Sequence, residues 1–524
     1  MVVLVAALLA GCAVGPSQRP PVATVNSDEP AAAPPSSGAA PPPPPVLPPL
    51  VPSSPKVDFV DCTAALLSRL GGAAALGGRD LRLGCASVPV GGAGSGGSST
   101  SASEVDVTRV TLGPAPVGPV VPIAVLGDPG RRTGTQEALR LAARGPAELL
   151  EGRALYGVDV RGATGAAVDC ITPTTRAAID DADPAAADPV ALAPLAAAAG
   201  TAARTCSQLL EDSLTEFDTA TDADDLDEVR RALGAARLHA VGLGAGAATL
   251  ARWAQAHPDQ QGRLVLDGLP DPTAPDGVHA DQRADAARRA LDAFATACAG
   301  TGGCGLGTDP KGAVTDLVAS LRRSPLPASP AATGFVPGRE VTAGTAVSVL
   351  VDGLADPDSW PALGAALAAA RRGDPAPVLA RADARENEDG GFDLQVVADC
   401  NDRAERPTVD QVAAASARAA GTDPVFGGWF AQRSLVCSSW PVPTEAPAPF
   451  SGTALPTLLL GTDADPVVPL VESQRVAAGM QGAVLVSWLG AGHGAYPATP
   501  CISTVVGDFL LRENVPREET VCPP

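Results

Sequence analysis

Val241-Gly242-Leu243-Gly244-Ala245-Gly246 closes a β-rich run, Leu238 to Leu243, and opens an alanine-rich helical stretch that continues to about Ala256. Glycine at the centre of a strand-to-helix turn accepts a left-handed backbone at no steric cost, and flanking glycines let strand and helix approach closely. The same rhythm extends outward. Val121 to Leu126 and Ala154 to Val160 read as buried strands, and Arg263 to Asp267 as another. Asp222 to Leu233 reads as a helix with Leu226, Val229 and Leu233 on one face, an acidic start, Arg230 and Arg231 at its end and Gly234 as its stop. Strands alternating with helices imply a mostly parallel sheet covered on both faces. From about 275 to 450 the rhythm gives way to Ala/Arg/Asp-rich helical segments, among them Ala280 to Cys298 and Thr342 to Gly353; it returns with Leu455 to Leu460 and Ala483 to Leu489. The expected architecture is an α/β core of residues 57–274 and 451–524, interrupted by a helical cap insertion at 275–450.

Two more loops follow late strands. Gly461-Thr462-Asp463-Ala464-Asp465-Pro466 carries an acid, and Gly490-Ala491-Gly492-His493-Gly494 carries a histidine. Of the four histidines, His239 falls inside a strand, His257 at a helix end before Pro258, and His279 in the insertion, so His493 is the one in such a loop. Turn residue, acid, histidine is the chain order of the α/β-hydrolase fold, whose G-x-S-x-G elbow presents a serine nucleophile. Here both flanking glycines stand and the centre is Gly244, with no hydroxyl to present. Other segments add to this: Asp224 to Gly234, His257-Pro258, Arg263 to Gly268, Asp271-Pro272, Cys400-Asn401-Asp402, Asp465-Pro466-Val467-Val468-Pro469 and the Pro500-Cys501 to Thr520-Val521-Cys522 tail. Together they resemble the tripeptidyl-aminopeptidase-like (TAP-like) branch of the α/β-hydrolases, secreted actinobacterial serine peptidases and esterases related to proline iminopeptidase. The resemblance runs from about Cys62 to Cys522. It implies an α/β-hydrolase fold with a TAP-like C-terminal part, Asp465 as acid, His493 as base and Gly244 where the family has serine. In the intact mechanism the base takes the serine proton while the acid holds the imidazole's tautomer. Losing the nucleophile lowers turnover by on the order of a million-fold.

A second departure lies in Leu126-Gly127-Asp128-Pro129-Gly130-Arg131-Arg132-Thr133-Gly134. The family's loop reads like N-P-G-G-P-G and offers bare amides to the oxyanion. Gly127, Asp128 and Ala245 therefore mark the expected oxyanion region, with Asp128 in place of a glycine. A carboxylate there opposes the transition state, unless Arg131 and Arg132 turn inward. The expectation is a catalytically impaired protein retained for binding or scaffolding. The alternative is a weak peptidase or esterase in which His493 and Asp465 activate water, a substrate hydroxyl serves, or the nucleophile has shifted to Thr249, Ser438 or Ser439. The acidic run Glu386 to Asp389 is expected to be a solvated loop, with recognition of a peptide amino group as its rival. Arg161 and Gly162 are expected to fix a turn.

The chain begins MVVLVAALLAGC, an apolar run too short to span a bilayer and suited to a signal peptide. Leu9-Ala10-Gly11-Cys12 resembles a bacterial lipobox, although no Lys or Arg precedes the apolar run. It implies a signal peptide at 1–11, lipid on Cys12 and a Pro/Ala-rich tether over 12–56, whose composition builds no core. A cell-membrane lipoprotein on the extracytoplasmic face follows. Gly91 to Ser103 reads as a flexible surface loop. Eleven cysteines less Cys12 leave an even set suited to an oxidising compartment. Joining neighbours gives Cys62–Cys85, Cys170–Cys206, Cys298–Cys304, Cys400–Cys437 and Cys501–Cys522, although the count also admits other connectivities. A net charge of −21 repels phosphate backbones, so no nucleic-acid partner is expected. No metal, nucleotide or redox motif stands out, and no cofactor is expected. Membrane contact through the anchor and a peptide, ester or lipid ligand in the cleft are the expected partners.

Overall fold

The computed structural model describes residues 46–91, 103–114, 118–165, 167–301, 304–328, 336–387, 391–443 and 445–524. The signal peptide, Cys12, the tether up to residue 45 and most of the Gly91 to Ser103 loop lie outside the described residues.

The strands are β1 Val60–Asp61, β2 Leu81–Val90, β3 Ser103–Leu112, β4 Val121–Leu126, β5 Arg153–Asp159, β6 Leu238–Leu243, β7 Gln261–Asp267, β8 Gly452–Ala464, β9 Gln481–Ala491 and β10 Thr520–Cys522. They form one sheet in the order β1-β2-β3-β5-β4-β6-β7-β8-β9-β10. Pairings at the β1 edge, as far as β3 with β5, are antiparallel. All the others are parallel. The β4 and β5 swap in order and the antiparallel start define an α/β-hydrolase fold.

Side-chain alternation along the central strands feeds two cores. Ala124 and Leu126 of β4, Leu264 and Leu266 of β7 and Leu459 of β8 face the helices Thr219–Ala232 and Ala245–Ala256. Their neighbours Ile123, Val125, Val265, Leu458 and Leu460 face the helices Gly134–Arg144 and Pro500–Arg512. With both faces covered, β4, β6 and β7 are buried throughout, which is why they read as continuous apolar runs.

Three expectations need correction. First, the tether does not extend to residue 56. Leu47 is only 2% exposed, Arg263 Nε donates to Pro48 O at 2.8 Å, and Ser53 pairs with Val120 through both backbone bonds. Second, the cap is built from two stretches of chain. Besides the helices between β7 and β8, the helices Pro173–Asp180 and Pro189–Leu210 join it, with Leu192 and Leu195 packed into one cluster with Val397, Val412 and Leu435. Asp393 stitches the two stretches, accepting from the Cys170 and Ile171 amides at 2.7 Å each and from Arg176 Nε at 2.6 Å. Third, Glu386 is no solvated loop residue. It is 1% exposed and accepts from Arg339 at 2.7 and 2.8 Å. Burial, then the Asp180 charge, raises its pKa. Glu388 and Asp389 lie outside the described residues. Arg161 does more than fix a turn: it ties the end of β5 to Asp225 at 2.7 and 2.9 Å and to Glu216 at 2.7 Å.

All five neighbour pairings of cysteine form disulfides. Cys170–Cys206 closes a loop of 36 residues within the cap. Constraint of the unfolded chain by such a loop is worth about 2–4 kcal/mol. Cys170→Ala/Cys206→Ala is expected to lower unfolding free energy by that amount in urea titrations, and an unchanged midpoint would show that the bridge restrains nothing. Among the described residues, no helix is long and apolar enough to cross a membrane, and no cluster of His, Cys, Asp and Glu has a metal-holding arrangement.

Candidate functional site

The carboxyl ends of the parallel strands gather the site, as open α/β sheets do. Asp128 follows β4, Gly244 follows β6, Asp267 ends β7, Asp465 follows β8 and His493 follows β9. Gly244 adopts φ +57° and ψ −117° as the cap of helix Ala245–Ala256, a left-handed conformation that glycine takes freely and other residues take under strain. Its amide donates to Asp267 O at 3.0 Å, and Gly246 N donates to Gly127 O at 3.1 Å, locking the elbow to both neighbouring strands.

His493 Nδ1 donates to Asp465 Oδ2 at 2.9 Å. Asp465 in turn accepts from the amides of Val467 and Val468 at 2.8 and 3.0 Å through its other oxygen. On the opposite side of the ring stands Asp128, whose Oδ2 is 3.2 Å from Nε2. The contact is an ion pair by distance, but Nε2 has no acceptor in hydrogen-bond alignment. A Cβ built on Gly244 would lie 2.9 Å from His493 Nε2 and 3.0 Å from Asp128 Oδ2. The Asp128 carboxylate thus crowds the space that a serine side chain would enter.

Charges follow from this packing. Burial disfavours the imidazolium of His493, but Asp465 and then Asp128 outweigh it and raise the pKa to about 9. Burial likewise opposes ionisation of Asp128, yet His493, Arg131 and Arg283 hold its carboxyl below the usual value. The carboxylate also faces the N-terminal end of helix Ala245–Ala256, whose dipole favours an anion. At neutral pH His493 is therefore an imidazolium clamped between two carboxylates, and a protonated imidazole cannot accept a proton.

Arg131 pairs with Asp352 at 2.9 Å and its charge bears on Asp128, while Arg132 pairs with Glu137 at 3.1 Å and donates through Nη2 to His493 O at 3.4 Å. Thr249 is buried and back-bonded to Ala245 O at 3.2 Å. Ser438 and Ser439 follow the short helix Ser434–Cys437, which packs against Pro189–Leu210 in the cap. His239 accepts from Arg263 N at 3.1 Å, and burial pushes its pKa down to about 4. His279 sits 2.6 Å from Glu472.

Sequence reasoning missed the groups that hold the histidine loop. Asp267 accepts from the amides of Ala495 at 2.9 Å and Tyr496 at 2.8 Å, and burial raises its pKa to about 6. Glu137 is buried, but Arg140 and Arg132 overcome the burial and hold it at about 2. The cap reaches the same loop: Ala355 O accepts from His493 N at 2.7 Å. Only the segment Leu266-Asp267-Gly268 gave a signal, and it said nothing of a positioning role.

Fold and loops together define a protein of the α/β-hydrolase class whose elbow carries glycine. Residues 423–522 match the family described as TAP-like protein, a match that begins inside the cap before β8. The chain is similar to serine protease Hip1 of Mycobacterium tuberculosis and of Mycobacterium bovis, 29% identical over 327 residues covering 59% of this chain and 62% of each relative. The match thus spans less than two thirds of the relatives' length. Similar solved structures include a proline iminopeptidase from Mycobacterium smegmatis, 14% identical, covering 82% of this chain and 98% of that one with a TM-score of 0.37. A hydrolase from Pseudomonas aeruginosa is 14% identical, covering 78% of this chain and 95% of that one with a TM-score of 0.31.

Proposed function

We propose that the protein is a catalytically impaired TAP-like α/β-hydrolase, held at the extracytoplasmic face of the cell membrane by lipid on Cys12, that binds a ligand in the former substrate cleft. The observation that carries this reading is Asp128 at the empty elbow: its carboxylate crowds the place of a serine side chain and adds to Asp465 in raising the pKa of His493. Nucleophile, free base and oxyanion cradle are compromised at one point. The lipobox-like start and the five disulfides support an exported protein.

The full chain, assayed against aminoacyl and short-chain ester substrates, is expected to show no turnover above buffer and no labelling by a serine-directed phosphonate. A second reading rests on the same contact, since Asp128 is itself a carboxylate poised beside the histidine and able to act on water. Turnover that disappears in both His493→Ala and Asp128→Asn would favour that second reading over the first.

A further inference from the structure

A cavity of about 100 Å³ lies beneath the cap, lined by Arg131, Arg283, Arg385, Arg403 and Arg433, with Asp399 as the single carboxylate of its wall. In a chain of net charge −21, this convergence of guanidiniums runs against the composition. Four of the five have structural counter-ions: Asp352 for Arg131, Asp276 for Arg403, and Asp180 for both Arg385 and Arg433. Arg283 makes no ion pair or hydrogen bond with any described residue; its guanidinium lies over the Phe430 ring, 5.4 Å from the centroid, and Asp399 and Glu472 act on it only through charge. The Nε atoms of Arg131, Arg283, Arg385 and Arg433 are all buried without an acceptor. Arginine cannot shed its charge, and an orphaned buried donor costs about 1–3 kcal/mol, more when charged. Asp352, Asp276 and Asp180 pair with four of the guanidiniums, while Asp399, Glu472 and Asp128 bear on Arg283 through charge without pairing with it. Gln395 and Asp399 are the wall's polar groups other than guanidinium, against five arginines.

The rest of the wall narrows the occupant. Phe392, Val351 and Trp429 are apolar, which suits an alkyl or aryl group behind the anionic head. Asp399 and Arg403 also line a larger cavity of about 440 Å³ that reaches Ala245 and Ala248 beside the elbow. A ligand with its head in the chamber can extend along the old substrate cleft.

We propose that this arginine chamber binds an organic carboxylate, its head on Arg283 and its apolar portion directed toward the elbow. The inference rests on the binding reading above and names the ligand class. Five guanidiniums line one small chamber and Arg283 among them is unpaired, and guanidinium geometry matches a carboxylate bidentately.

Calorimetric titration of the full chain with sodium butyrate, and separately with inorganic phosphate, at ionic strength matched with chloride, tests it. Butyrate is expected to bind saturably at one site, more tightly than phosphate. Arg283→Met should weaken it at least tenfold, and Arg322→Ala, at a surface pair with Asp183, should leave it unchanged. Without ligand, Arg283→Met should unfold at or above the wild-type temperature, because an apolar side chain replaces an unpaired buried charge. No saturable butyrate binding by wild type, tighter binding of phosphate, wild-type affinity in Arg283→Met, or a lower unfolding temperature in that variant would each overturn the proposal. None of these readouts involves turnover, so their failure leaves the catalytic reading to the substrate assay.

Discussion

Gly244→Ser by itself is expected to leave ester hydrolysis at background, whereas Gly244→Ser combined with Asp128→Gly raises it by on the order of a thousand-fold. The single substitution supplies a hydroxyl with nowhere to go, since even its Cβ meets His493 Nε2 at 2.9 Å and Asp128 Oδ2 at 3.0 Å. It also leaves His493 protonated and unable to take the serine proton. Removing the carboxylate opens the space, withdraws the negative charge from the oxyanion region and takes away one of the two anions that raise the histidine's pKa. A triad nucleophile is worth about a million-fold in turnover. An oxyanion loop unselected for its task forfeits about a hundred- to a thousand-fold, and the remainder sets the expected gain. The φ of +57° at position 244 charges a side chain about 1–3 kcal/mol of strain, which the hydrogen-bonded elbow must absorb. Initial rates on p-nitrophenyl butyrate and stoichiometric phosphonate labelling of residue 244 give the readout. A folded double variant that stays silent would mean that the elbow no longer frames a catalytic site.

The contrast between Gly244 and Asp128 explains what the sequence could convey. The elbow was legible because turn geometry is local: glycine flanks, strand before, helix after. β4, β6 and β7 were legible because a strand buried on both faces is apolar at every position. β2 and β3 escaped notice because they sit toward the antiparallel edge, where exposed and buried residues interleave. The helices Pro173–Asp180 and Pro189–Leu210 follow a core strand, and local pattern cannot say that their apolar face meets Val397 and Leu435, some two hundred residues on. Asp128 was placed in the correct loop, but its role depends on the direction of one side chain relative to a histidine far along the chain. Spacing does not encode that. Glu386 shows the same limit: an acidic run reads as solvated until Arg339 is seen beside it.

His493→Ala is expected to destabilise the fold at pH 7 by about 3–5 kcal/mol, the penalty for removing one partner from a buried charge cluster. His493 is 4% exposed, Asp465 0% and Asp128 6%, so the substitution leaves two carboxylates buried without the cation between them. The pH dependence carries the same signature. Because the folded pKa of His493, about 9, stands above its ordinary 6.5, its stabilisation is fully present below pH 6.5 and is lost as pH rises through 9. Asp128 acts in the opposite sense: with its folded pKa below the ordinary 3.8, its contribution holds above that value and is lost as pH falls through the lowered one. Wild-type unfolding free energy from urea titrations should therefore decline between pH 6.5 and 9, and His493→Ala should remove that decline. Asp128→Ala/His493→Ala should be more stable than His493→Ala alone, because deleting one carboxylate relieves the exposed repulsion. A double-mutant cycle isolates the pair. If the two substitutions simply add, Asp128 is not the counter-ion of His493, and the clamp that keeps the site inert does not exist.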